Sequence, residues 1–71
     1  MLDMKISKRH GGPYDRGAAD SYYGRPRSPH YYEGATYATK RIVCEPGSNE
    51  EYEYNTGFDD NEYEQNFKEW E

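Results

Sequence analysis

The chain has 71 residues, with 14 acidic and 9 basic side chains and a net charge of -5. Leu2, Ile6, Ile42, Val43, Phe58 and Phe67 are its whole stock of Leu, Ile, Val and Phe, a disorder-like shortage that nine Tyr and one Trp offset. Such a composition excludes a multi-domain enzyme, a membrane span and a disulfide scaffold built on the lone Cys44. It leaves room for one small domain, residues 1–71, with a tyrosine core.

The net charge conceals a division. Residues 1–41 carry eight basic and four acidic groups, whereas residues 42–71 carry ten acids against Lys68. A basic contact surface joined to an acidic segment fits this asymmetry, as does mutual attraction of the two halves within the fold.

Taken in chain order, residues 1–12 read as an extended, flexible arm. It holds the basic run Lys8-Arg9-His10 and ends at a Gly11-Gly12 break. A first helix is predicted over 13–24. Pro13 suits its first position, Asp15 suits the positive end of the helix dipole, and Tyr14, Ala18 and Tyr22 form an apolar stripe with Ala19 and Tyr23 beside it. Asp15, Arg16, Asp20 and Ser21 fall mostly on the other side. Gly24 fits a left-handed helix end and Pro26 cannot continue the helix. Gly17 costs about 1 kcal/mol relative to Ala inside a helix, which close approach of another backbone would explain.

Residues 25–48 are expected to be a long loop, punctuated by Pro26, Pro29, Gly34, Pro46 and Gly47. Thr36 to Cys44 carries β-branched residues that suit a short strand, and the N-terminal arm is its available partner. A second helix is predicted over 49–63, opened by the capping box Ser48-x-x-Glu51. Tyr54, Gly57 and Phe58 share one face, and Asn61 or Asn66 is placed to close the helix. Residues 64–71 form an aromatic tail with Phe67 and Trp70. The expected fold is mostly α: a two-helix hairpin in which Tyr14, Ala18, Tyr22 and Tyr23 meet Tyr54, Phe58, Phe67 and Trp70, with Gly17 and Gly57 allowing close approach. So small a core is marginal, and dimerisation or partner binding would add stability.

Two blocks of sequence carry a family resemblance. The first runs His10-Gly11-Gly12-Pro13-Tyr14-Asp15-Arg16-Gly17, through Ala19-Asp20-Ser21-Tyr22-Tyr23-Gly24-Arg25, to Pro29-His30-Tyr31. The second is Tyr54, Gly57-Phe58, Asn61-Glu62 and Phe67-Lys68-Glu69-Trp70. Together they resemble the small Cef proteins of T-even-type phages, described as modifiers of suppressor tRNAs. The resemblance spans most of the chain, least in residues 32–50. It implies a phage accessory protein in the host cell cytoplasm that promotes tRNA maturation, and it brings no catalytic motif. The layout Arg16-Gly17, Gly24-Arg25, Pro29-His30-Tyr31, Gly57-Phe58, Lys68-Glu69-Trp70 is also similar to that of ribosome modulation factor. That family is strongly basic where this chain is acidic.

The expected contact surface for RNA or a partner combines Lys8, Arg9, His10, Arg16, Arg25, Arg27 and His30 with Tyr22, Tyr23 and Tyr31. Cations neutralise phosphates and exposed tyrosines stack on unpaired bases, a mixture suited to tRNA or the ribosome. The same tyrosines are equally the material for a core. Arg25-Pro26-Arg27-Ser28-Pro29-His30 is the sharpest patch, because its prolines keep both guanidiniums turned outward. Glu51, Asp59, Asp60 and Trp70 form an expected protein-facing surface toward an RNA-processing enzyme. The alternative to RNA contact is an acidic inhibitor or adaptor of a host nucleic-acid enzyme. His10 and His30 would serve phosphodiester cleavage only if brought together in a pocket, so no catalytic residue is assigned. His10, His30 and Cys44 lack metal-ligand spacing, so neither metal nor cofactor is expected.

Overall fold

The computed structural model describes residues 6–34 and 39–69. Its elements run helix, strand, strand, helix: α1 (Pro13–Tyr22), β1 (His30–Tyr32), β2 (Arg41–Val43) and α2 (Asn49–Glu64). Helix predominates, as the residue pattern predicts, and a small antiparallel sheet accompanies it.

Local chemistry accounts for the helix boundaries. Pro13 opens α1, and Tyr23 caps its far end. The Gly24 amide then reaches the Ser21 carbonyl (3.1 Å) and the Arg25 amide reaches the Asp20 carbonyl (2.8 Å). This double closure requires a left-handed residue, and Gly24 supplies it with φ of 71°. At α2, Ser48 Oγ accepts from the Glu51 amide at 3.1 Å. Glu51 returns the cap one residue further out, where its carboxylate accepts from the Gly47 amide at 2.9 Å. Asn61 does not close α2. The helix runs past it to Glu64 and stops at Gln65, which is left-handed.

The helices cross at two glycines. A Cβ on Gly17 would lie 2.0 Å from the Tyr54 carbonyl oxygen, and one on Gly57 would lie 2.2 Å from that of Tyr14. This crossing sets the rotation of α1, and it differs from the predicted stripe. The buried residues of α1 are Pro13, Arg16, Gly17, Asp20 and Ser21, while Tyr14 and Tyr22 are half-buried and Tyr23 is exposed. The inward face is therefore largely polar, which is tolerable only because its groups are bonded. Asn61 Nδ2 donates to Ser21 Oγ at 2.9 Å, and the Tyr54 hydroxyl donates to Asp20.

Residues 25–48 are more than a loop. His30, Tyr31 and Tyr32 pair with Val43, Ile42 and Arg41. The strand partner is thus this segment and not the N-terminal arm. The arm instead binds the sheet at Gly11, whose carbonyl accepts from the Tyr32 amide at 2.7 Å, and is itself turned by the Gly12 amide donating to the Arg9 carbonyl at 3.1 Å. Gly11-Gly12 is accordingly a buried, tied turn and not a flexible break. A two-stranded ribbon is marginal alone, and here β1 packs on both helices. Alternation sends His30 and Tyr32 inward and leaves Tyr31 half-buried. The aromatic centre is the series Tyr32, His30, Tyr54 and Phe58, with ring centroids 5.7–6.2 Å apart. Phe67 is exposed. The tail is held by the Lys68 amide on the Tyr22 carbonyl at 2.7 Å. Trp70 lies outside the described residues.

Candidate functional site

A cleft of about 560 Å³ opens where α1, the loop after it and the sheet meet. Its buried walls are Arg16, Asp20, His30 and Tyr32; its exposed rim is Arg25, Pro26, Ser28 and Arg41. Helix spacing places Arg16 and Asp20 one turn apart, the loop after α1 delivers Arg25, and register pairing sets Arg41 opposite Tyr32.

The polar floor has a definite proton arrangement. Arg16 Nε lies 3.3 Å from His30 Nε2. A guanidinium only donates, so Nε2 accepts and Nδ1 carries the hydrogen. That Nδ1–H donates to the Ser28 carbonyl at 2.7 Å. Both ring nitrogens are therefore engaged. Burial is the largest cause lowering the His30 pKa, and Arg41 and Arg16 add to it against the opposing Ser28 carbonyl and Asp20. Asp20 is 3% exposed. Its Oδ2 takes the Tyr54 hydroxyl, whose own oxygen accepts from the Ser28 amide at 3.0 Å. Its Oδ1 is 3.4 Å from Arg25 Nη1 and 3.9 Å from Arg16 Nη2. Both are longer than the roughly 2.7–2.9 Å of a strong charge-assisted bond. Two guanidiniums thus share one carboxylate held at a distance, and Arg41 adds a third cation, so the lining carries two surplus positive charges in a chain of net -5.

The His30 environment has a consequence for stability. The residues facing the ring are Arg16 and Asp20 from α1, Arg41 from β2 and Tyr54 from α2. A histidine with a lowered folded pKa stabilises the neutral form, and that stability is complete above the unfolded value of about 6.5. It is lost as pH falls from there toward the folded value. The urea midpoint should therefore drop between pH 7.5 and 5.5, and His30→Gln should flatten that drop. An equal drop in both proteins would contradict the assignment.

The other expected contact residues are spread out. Lys8 lies over the Tyr14 ring (4.9 Å), Arg9 donates to the Tyr32 carbonyl (2.7 Å), and exposed His10 sits 3.8 Å from Asp15. Tyr22 meets Tyr23 edge-on at 4.9 Å, and Arg25 covers Tyr23 at 4.7 Å. Tyr31 lines a separate cleft beside Cys44, whose thiol is pushed up to about 11 by burial and then Glu50. Arg27 is exposed but engaged by α2. It binds Asp59 at 2.6 Å and Asn55 at 3.0 Å, and stacks over Phe58 at 4.3 Å. The expected protein-facing acids serve the fold as well: Glu51 caps α2, Asp59 holds Arg27, and Asp60 accepts from Tyr14 at 2.8 Å.

Of the expected residues, the cleft gathers Arg16, Arg25 and His30. Arg41, Asp20, Ser28 and Tyr32 complete it, and Tyr54 supports it from behind. The Arg16–Asp20 i,i+4 spacing was a legible signal for part of this. Arg41 had none, because its place depends on strand pairing. Among the described residues no helix is long and apolar enough to cross a membrane, and no three His, Cys, Asp or Glu side chains are grouped to hold a metal ion. No family model, curated protein or solved structure matches the chain.

Proposed function

We propose that the chain is an RNA-directed accessory protein, acting in the tRNA maturation that its resemblance to the Cef proteins implies, with the arginine cleft as its phosphate contact. The observation that supports this reading is the concentration of Arg16, Arg25 and Arg41 around one cleft with a single carboxylate. In an acidic chain this is where a polyanion is attracted, and guanidinium forks match phosphate oxygens bidentately. Tyr23, exposed beneath Arg25, offers a ring for a neighbouring base. The acidic outer face of α2 keeps RNA oriented away from itself, or meets a protein partner such as a processing enzyme.

Charge reversal at the rim tests the reading. Arg25→Glu with Arg41→Glu should weaken tRNA binding at least about 100-fold, since each lost phosphate contact is worth roughly 1–2 kcal/mol and reversal adds repulsion. The salt slope should shrink with it. Undiminished tRNA binding by the folded double variant would overturn the proposal in favour of an acidic, protein-directed adaptor.

A further inference from the structure

We infer that the cleft takes a terminal phosphomonoester of RNA and not an internal phosphodiester. This rests on the RNA reading above and specifies the group recognised. Depth is the first argument. Arg25 and Arg41 stand at the exposed rim, but the Arg16 side chain is 9% exposed and lies at the floor with His30. A passing strand reaches the rim. A terminal phosphate, free on three oxygens, can turn end-on toward Arg16, whereas an internal phosphate is flanked by sugar on both ester oxygens.

Charge is the second argument. Arg16, Arg25 and Arg41 against Asp20, with His30 neutral, leave a surplus of two positive charges. A phosphomonoester carries about -1.5 to -2 at pH 7, because its second pKa is about 6, whereas a phosphodiester carries one charge. Donor supply is the third. Arg25 and Arg16 hold Asp20 only at 3.4 and 3.9 Å, and Arg41 spends Nη2 on the Ser28 hydroxyl at 3.0 Å. Each guanidinium has five N–H donors, so enough remain for the three oxygens of one terminal phosphate. Tyr32, whose ring lies 5.8 Å from the Arg16 guanidinium carbon, closes the floor.

The test is fluorescence anisotropy with one labelled single-stranded RNA prepared with a 5′-phosphate, a 3′-phosphate or hydroxyl ends. One phosphorylated form should bind at least about tenfold tighter than the hydroxyl form, and which one identifies the end recognised. Inorganic phosphate should compete, and the advantage should fade below about pH 6 as the dianion protonates. Arg41→Gln, at an exposed side chain, should abolish the advantage while leaving the fold intact. Arg16→Gln should do the same wherever it remains folded. Equal binding of all three RNAs overturns this inference and leaves the RNA reading standing. Binding of none of them, with no tRNA binding either, overturns the RNA reading. Stronger competition by a phosphoserine peptide than by phosphorylated RNA transfers the cleft to a protein ligand and overturns both.

Discussion

Gly17→Ala should lower the melting temperature by at least about 12 °C, taking a loss of about 3 kcal/mol and roughly 4–8 °C per kcal/mol for a domain this size. The new Cβ would sit 2.0 Å from the Tyr54 carbonyl oxygen and 2.9 Å from the Phe58 amide nitrogen, where ordinary contact begins at 3.4 Å. Both obstacles are backbone, so no rotamer change relieves them and the helices must separate. That loss of about 3 kcal/mol is net of the roughly 1 kcal/mol that alanine's better helix propensity returns. Total stability for 71 residues is roughly 4–10 kcal/mol, so the loss is a large share of it. Gly24→Ala is the control. Its φ is 71° but nothing lies within 4 Å of a Cβ there, so it should cost only the roughly 1–2 kcal/mol of a left-handed alanine. Gly57→Ala meets the Tyr14 carbonyl oxygen at 2.2 Å and should resemble Gly17→Ala. The pair should be less than additive, because helices already parted by one methyl have room for the other. Thermal melts of the parent and the four variants decide the matter. A Gly17→Ala protein as stable as the parent would mean that the helices do not cross here.

The crossing also explains what could and could not be read from residue order. Gly17 and Gly57, the Ser48 cap and the Gly24-Pro26 stop are local features, and each has its role in the structure. The phase of α1 was not legible. Hydrophobic periodicity turns Tyr14, Ala18 and Tyr22 inward, but contact at Gly17 rotates Arg16, Asp20 and Ser21 into the interior instead. Periodicity cannot detect a buried polar face, since its stability depends on partners distant in sequence: Tyr54 for Asp20 and Asn61 for Ser21. The sheet was half legible. β-branched residues mark β2, whereas β1 is a His-Tyr-Tyr segment recognisable only once paired. Arg27 shows the same limit. Its proline-flanked loop points to an exposed side chain, which it is, but not to the Asp59 and Phe58 of α2 that hold it there. The basic half and the acidic half therefore do attract one another, at the Arg27–Asp59 pair. The cationic cleft is what that pairing leaves over.

Asp20→Asn should lower stability while raising anion affinity. Asp20 is the one carboxylate in the cleft lining, facing Arg16 and Arg25 and accepting the Tyr54 hydroxyl. Asparagine keeps an acceptor for Tyr54 but removes the counter-charge of a buried guanidinium. Closely paired buried ions lose roughly 3–5 kcal/mol on such removal. The 3.9 Å separation from Arg16 argues for less, about 2–3 kcal/mol. An anion in the cleft is meanwhile repelled by Asp20: at about 7 Å and an effective dielectric of about 40, that repulsion is on the order of 1 kcal/mol. Its removal should tighten phosphate or tRNA binding about fivefold. Urea denaturation reads the first effect, and phosphate titration at a temperature where both proteins are folded reads the second. A purely structural network predicts that affinity falls or stays level as stability falls. Opposed signs arise only if Asp20 restrains arginines whose ligand is an anion, and if affinity does not rise, the cleft is a structural ion cluster. Tyr54→Phe separates the hydrogen bond from the charge. It leaves Asp20 without its hydroxyl donor at Oδ2 and the Ser28 amide without its acceptor, so it should also cost about 2–4 kcal/mol. Because the lining charge is unchanged, it should leave anion affinity close to that of the parent.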